Sequence, residues 1–417
     1  MPEFKRVIEA CQPYVRSGKR GFSDAFAFSN ALKALGLPFG GAPDSVDLDL
    51  RTVASQLIGA CQSTVQQRTH FCPLDLAGEL PRLEFGTATV RSFSREELAM
   101  AFEVDRMAAH HPSGKWDLER LCQLQWLVVR EEILVRDSPS GRASPFFEEP
   151  FNPDWGAVHP HENGWPEAVA DAVFFLLLAP WERWTAMPRT NIFGFQIPWI
   201  YTIDSDPFKL PAAPPSADNL SFSPEFWTDR WGVEHEVQAP ARVGFDEAVS
   251  EELPLMNQSA WASLQLAQTS PLFDTPVQHF LVRAFQANGV DEFLGHITAI
   301  EAAVGHIDDH RPGKDRANPR ARMKSTERVA VRLAALVGDG AAAAQFRHIF
   351  DLRSAFIHGR ADLNPISTKE RLTARSLARR AARGLVDLAV GQPLTREVAL
   401  EQLLEAGIQL TARPTSA

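Results

Sequence analysis

Cysteine is scarce: four residues in a chain of 417, Cys11, Cys61, Cys72 and Cys122, lie far apart and form no Cys-x-x-Cys pair. That spacing excludes a zinc ribbon and a dithiol redox motif and leaves buried thiols as the expectation. Long apolar runs are also missing. The longest, Ala172 to Ala179, falls far short of the roughly 20 residues a bilayer-spanning helix needs. The N-terminus, Met1-Pro2-Glu3-Phe4, lacks the charged-then-apolar pattern of a signal peptide. A cytoplasmic location with no membrane attachment is therefore expected. There is no internal repeat and no Gly-rich phosphate loop of either common type. Histidine clusters at two places only, His159-Pro160-His161-Glu162 and His110-His111. Pro160 disrupts regular ligand geometry in the first, and adjacent helical residues in the second point apart, so neither metal nor cofactor is expected.

The length exceeds what one hydrophobic core supports and fits two or three domains. With 45% hydrophobic and 23% charged residues, composition argues against disordered and fibrous classes. Charge is unevenly spread. Residues 271 to 417 hold 20 Lys/Arg against 16 Asp/Glu, a balance of +4, so the overall −10 leaves −14 for residues 1 to 270. A polyanion would be met at the C-terminal end.

Proline and small polar residues from Asp204 to Pro224 interrupt both periodicities and suggest a boundary. Before it, residues 45 to 66 carry apolar positions at helical spacing, while Leu83 to Val90 alternates like a strand. Ser94-Arg95-Glu96-Glu97 has the form of a capping box. Trp165 to Trp184 is expected to be helical, and Asn191 to Ile203 a strand that Pro198 confines to an edge or bulge. Seven of the ten tryptophans fall between Trp155 and Trp231, a pattern that suits a core better than a base-stacking surface. The expected fold is α+β: an N-terminal mixed α/β domain (1–203), a Pro-rich linker and irregular segment (204–275), an all-α bundle of about five helices (276–392), and a C-terminal helix and tail (393–417).

In the C-terminal third three apolar stripes recur at helical spacing. The first runs through Val290, Phe293, Ile297, Ile300 and Val304, the second through Val329, Leu333 and Leu336, and the third through Phe346, Ile349, Phe350 and Ile357. Gly289, Gly305, Gly338 and Gly359 stand where helices should end in a left-handed residue. Two charges break the pattern. At about 100° per residue Arg353 falls inside the third stripe, and Glu301 falls inside the first. A cation on an apolar face needs a counter-charge or a partly wet pocket, so a Glu301 to Arg353 ion pair is expected. His358, about 140° further round, can converge with Arg353 only if the helix stops there, and Gly359 supplies the stop. An imidazole to move protons, a guanidinium to bind a phosphate oxygen and a carboxylate to orient it suffice for transesterification at RNA, with the 2′-hydroxyl as nucleophile. The Arg-x4-His spacing by itself decides nothing, since Arg106 to His111 and Arg230 to His235 share it. What sets Arg353 to His358 apart is its setting.

The order Ala299-Ile300-Glu301-Ala302-Ala303, then an amphipathic helix, then Asp351-Leu352-Arg353-Ser354-Ala355-Phe356-Ile357-His358-Gly359, resembles the HEPN superfamily, most closely its ApeA-like branch. The resemblance covers about 115 of the 417 residues. It implies a helical bundle that forms a homodimer with two Arg-x4-His motifs facing one cleft. It also implies metal-independent endoribonuclease activity, of the kind used in toxin-like and anti-phage abortive-infection systems. Arg353 and His358 then become the catalytic pair, with Glu301 as third catalytic residue and Ser354 in support. Around them, Lys324, Arg347 and Arg360, with Arg371, Arg375 and Arg379 spaced four apart on one ridge, are candidates for gripping the RNA backbone. The alternative is a catalytically inactive HEPN module that dimerises or binds RNA in the service of an N-terminal sensor. The sequence names no cognate regulator.

Overall fold

The computed structural model describes residues 2–15, 24–37, 49–135, 138–143, 164–185, 193–310, 323–359, 365–391 and 394–412. The fold is α+β, with 58% helix and 15% strand. Two compact units are interleaved along the chain. One comprises Met1–Asp75, Thr87–Val158 and Ile197–Ala241, the other Leu76–Gly86, His159–Gln196 and Arg242–Ala417. A single cut near residue 204 therefore does not describe the chain. Prolines interrupt local periodicity there, but chain segments on both sides of the interruption return to each unit. Among the described residues no helix is long and apolar enough to cross a membrane.

The strands are β1 (Val65–Pro73), β2 (Leu83–Phe85), β3 (Ala88–Ser92), β4 (Gln125–Leu134), β5 (Tyr201–Asp204), β6 (Phe222–Thr228) and β7 (Glu234–Pro240). In the first unit β3, β4, β1 and β5 lie side by side, all antiparallel, with Phe71 opposite Val128 and Tyr201. One sheet face packs Phe71, Trp126, Val128 and Tyr201 against Phe102 and Met107 of the helices Arg95–Ala101 and Val104–His110 and the turn joining them. The Ser94 capping box forms as its sequence requires: the Glu97 amide donates to Ser94 Oγ, and Glu97 accepts from the Ser94 amide. Residues 204–241, expected to be linker, contribute the end of β5 and the β6–β7 ribbon. The strand expected from Asn191 shrinks to β5; of the earlier part, Asn191 and Ile192 lie outside the described residues and 193–200 is irregular. Pro198 removes a ladder donor just where pairing would have begun.

The second unit is helical apart from β2. Its helices are Glu167–Leu177, Trp181–Trp184, Ala248–Glu252, Gln258–Gln268, Val277–Gln286, Val290–Val304, Ser325–Val337, Ala341–Ile357, Thr368–Gly391 and Arg396–Ala412. Trp165 to Trp184 is thus two helices, divided at Pro180 because a proline inside a helix removes a donor and clashes with the preceding turn. Phe293, Ile297, Ile300 and Val304 are buried as their stripe predicts, and so are Phe346 and Ile349. The C-terminal helix Arg396–Ala412 is no appendage, since it packs along Ser325–Val337 and buries Leu400 and Leu404. That contact is close enough that a Cβ on Gly407 would come within 2.1 Å of the Val331 carbonyl oxygen.

Candidate functional site

The Ala341–Ile357 helix ends where Gly359 requires. The His358 amide donates to the Ser354 carbonyl at 3.0 Å, the Gly359 amide donates to Phe356, and Gly359 takes φ +63°, a conformation that costs glycine nothing. His358 is the exposed cap residue at the C-terminal end of the helix. Ser354 serves this ending through its backbone.

Arg353 lies one turn before the end. Its Nη2 sits 3.7 Å from Glu301 Oε2, an ion pair longer than a hydrogen bond, and its guanidinium carbon stands 5.3 Å from the centre of the Phe350 ring. Both charged side chains are about one-third exposed, 28% for Arg353 and 33% for Glu301, so the two charges face each other without a hydrogen bond between them at that distance and without the expected burial. The apolar stripe runs out before Arg353. Phe356 and Ile357 beyond it are 42% and 52% exposed.

Glu301, Arg353, Phe346 and Phe350 line a cavity of about 550 Å³ together with Gly305 and His306. His358 is not among its lining residues. His306 was not singled out by sequence reasoning. It follows the helix Val290–Val304 and is held there by a local turn, its amide donating to Asp309 Oδ2 at 2.9 Å and the Asp308 amide donating to its Nδ1 at 3.2 Å. Asp309 is buried and ion-paired to Arg332 at 2.6 Å, and Arg332 also donates to the carbonyls of Val304 and Leu400. Arg396 closes the same helix end, donating to Leu272, Ala302, Ala303 and Gly305 carbonyls at 2.7–3.1 Å. One side chain thereby bonds three carbonyls at that helix end, of which Ala302 also accepts from Thr275 Oγ1 at 2.8 Å. Gly305 itself is extended, with φ −76°, so it is not the left-handed residue its position suggested. Glycine is needed there because a Cβ would lie 2.4 Å from the Glu301 carbonyl oxygen.

The basic ridge is a correction. Arg375 is 2% exposed, stacks 3.6 Å from the Phe193 ring and faces Glu182 at 3.9 Å. Arg379 is paired to the same carboxylate at 2.8 Å, and Arg371 is paired to the buried Glu292 beside His296. Arg375 and Arg379 face inward, Arg371 is about one-third exposed, and all three are paired with carboxylates from two other helices, so they do not form an open track of unpaired cations. Charge from Arg379 and Arg375 holds Glu182 below the usual carboxylate range despite burial, His296 and Arg371 hold Glu292 below it likewise, and burial pushes His296 and Arg375 down. Arg347 makes a two-pronged pair with Glu327, both contacts at 2.7 Å. Lys324 is exposed at the start of its helix, and Arg360 lies outside the described residues. So do His159 to Glu162. Among the described residues no group of three or more His, Cys, Asp or Glu is arranged to hold a metal ion.

The architecture is an α+β chain whose helical unit carries a cavity lined by Arg353 and Glu301 and, outside that lining, a helix that ends at His358. No family model, curated protein or solved structure matches the chain.

Proposed function

We propose that the chain is a metal-independent endoribonuclease of the HEPN type, acting as a homodimer and serving as an effector of anti-phage defence or of a toxin-like system. The observation that carries this reading is the end of the Ala341–Ile357 helix. Gly359 stops it at His358, while Glu301 holds Arg353 partly exposed one turn earlier.

In the proposed reaction the 2′-oxygen bonds to phosphorus and the bond from phosphorus to the 5′-oxygen breaks. The 2′-hydroxyl loses its proton, the leaving 5′-oxygen gains one, and His358 handles one of these transfers. Arg353 binds a non-bridging phosphate oxygen and stabilises the charge that grows on it. The products are a 2′,3′-cyclic phosphate and a 5′-hydroxyl. Phe356 and Ile357, exposed just before the motif's end, favour a second copy covering this surface and bringing a second His358 to the cleft.

The test is cleavage of single-stranded RNA by the full chain in the presence of a chelator, with analysis of the product ends. Arg353→Ala and His358→Ala should each reduce the rate by about a hundredfold or more, and a strand with 2′-deoxyribose at the scissile position should stay intact. Expression of the wild type should arrest growth, and both variants should relieve it. RNA left intact by a folded dimer, or equal rates for wild type and His358→Ala, would overturn the reading.

A further inference from the structure

A second cavity, in the sheet-containing unit and unrelated to the residues above, is built like a ligand site. It is a cleft of about 420 Å³ between the helices Asp24–Ala34 and Leu50–Gln62, the start of β1 and the turn after β5, within the size range of small-molecule pockets. Two of its lining side chains are buried with polar atoms left over. Gln66 is 6% exposed, and neither its Oε1 nor its Nε2 has a hydrogen-bond partner. Asp206 is 4% exposed; its Oδ1 accepts from the Phe208 amide at 3.1 Å, but its Oδ2 accepts no hydrogen bond, with Arg142 Nη1 standing off at 3.9 Å. A buried polar group without a partner has lost its water and gained nothing in return, so the arrangement is unfavourable unless something completes it.

The guanidinium groups in the wall are already committed. Arg142 donates to the carbonyls of Ala60 at 2.6 Å and Ser63 at 3.0 Å, and Arg106 donates to the Asp204 carbonyl at 3.1 Å and is paired with Glu103. No cation among these lining residues is left for a phosphate, and the unmatched carboxylate oxygen repels one. The ligand is therefore neutral and must bring a donor to Asp206. A primary amide offers an acceptor and a donor side by side in one plane, which matches a ligand edge that carries the reverse pair, as the edges of nucleobases do. Leu35, Ala60, Val65 and Pro207 supply apolar wall against which a flat ring can lie.

We propose that this cleft binds a neutral nucleobase-bearing ligand of nucleoside size, with the Gln66 amide reading the base edge and Asp206 accepting one of its donors. The proposal stands apart from the RNA-cleavage reading and survives its failure.

Calorimetric titration of the full chain with adenosine, guanosine, cytidine and uridine, and with adenosine monophosphate, tests it. At least one nucleoside should bind and the monophosphate should bind more weakly than adenosine. Gln66→Leu should weaken the nucleoside by about tenfold or more, the value of the lost amide contacts, while leaving the fold as stable as the wild type or more so. Gly59→Leu is the second variant. A Cβ at Gly59, on the cleft wall, meets nothing within 4 Å, so the larger side chain fills the space without disturbing the helix and should abolish binding. Absence of binding by all four nucleosides, affinity unchanged in both variants, or tighter binding of the monophosphate than of adenosine would each overturn the proposal.

Discussion

Arg353 and Glu301 face each other at 3.7 Å from two different helices, and each is about one-third exposed. A pair of that exposure contributes about 0.2–1 kcal/mol to stability, too little to explain as a structural staple. Its value under the proposed function is orientation. Glu301→Gln should therefore leave the urea midpoint within about 1 kcal/mol of wild type and yet slow RNA cleavage by about tenfold or more. A variant that loses stability without losing rate would assign the pair a structural role only.

The exposed apolar end of the same helix predicts an oligomer-dependent activity. Phe356→Asp with Ile357→Asp should convert the protein to a monomer in light scattering and abolish cleavage, while the circular dichroism spectrum stays unchanged. Monomers that cut RNA at the wild-type rate would separate the site from dimerisation.

Glu182 answers two arginines, Arg375 and Arg379, in the interior of the helical unit. Glu182→Gln leaves buried positive charge uncompensated and should cost about 3–5 kcal/mol. Arg375→Met together with Glu182→Leu should recover much of that loss. If Arg375→Met instead weakened RNA binding while sparing stability, the ridge would face the substrate and not the core.

Three histidines set the acid side of the stability profile. Burial pushes His70, His296 and His110 below the ordinary histidine value of 6.5, His110 to about 4. All three favour the neutral form more strongly when folded than when unfolded, so the unfolded chain binds more protons as pH falls. Their contribution is complete above about pH 6.5 and is lost progressively below it. Glu182 and Glu292, held below the usual carboxylate value of 4.5, add a second loss as pH drops through that value. Urea midpoints measured at about pH 7.5 and about pH 5.5 should therefore differ, with His296→Gln reducing the difference. A midpoint flat across that interval would contradict the neutral assignments.

Local backbone chemistry is legible in the residues themselves. The Ser94 capping box and the helix stop at Gly359 each depend on residues within one turn, and each forms where its residues stand. Apolar spacing likewise locates Phe293, Ile297 and Phe346 in the core. His306 gives no such signal, because its place beside Glu301 and Arg353 comes from Asp309, Arg332 and Arg396 tying down a helix end through contacts distant in the chain.

The helix that ends at His358 is thus determined by the sequence itself, since a left-handed glycine and a missing turn are properties of adjacent residues. What only the tertiary structure decided is where the charges go. Helical spacing shows that Arg371, Arg375 and Arg379 share a ridge, but a ridge can face water or a core. The choice depends on whether carboxylates such as Glu182 and Glu292, carried on other helices, arrive opposite it to offset the cost of burying the charge.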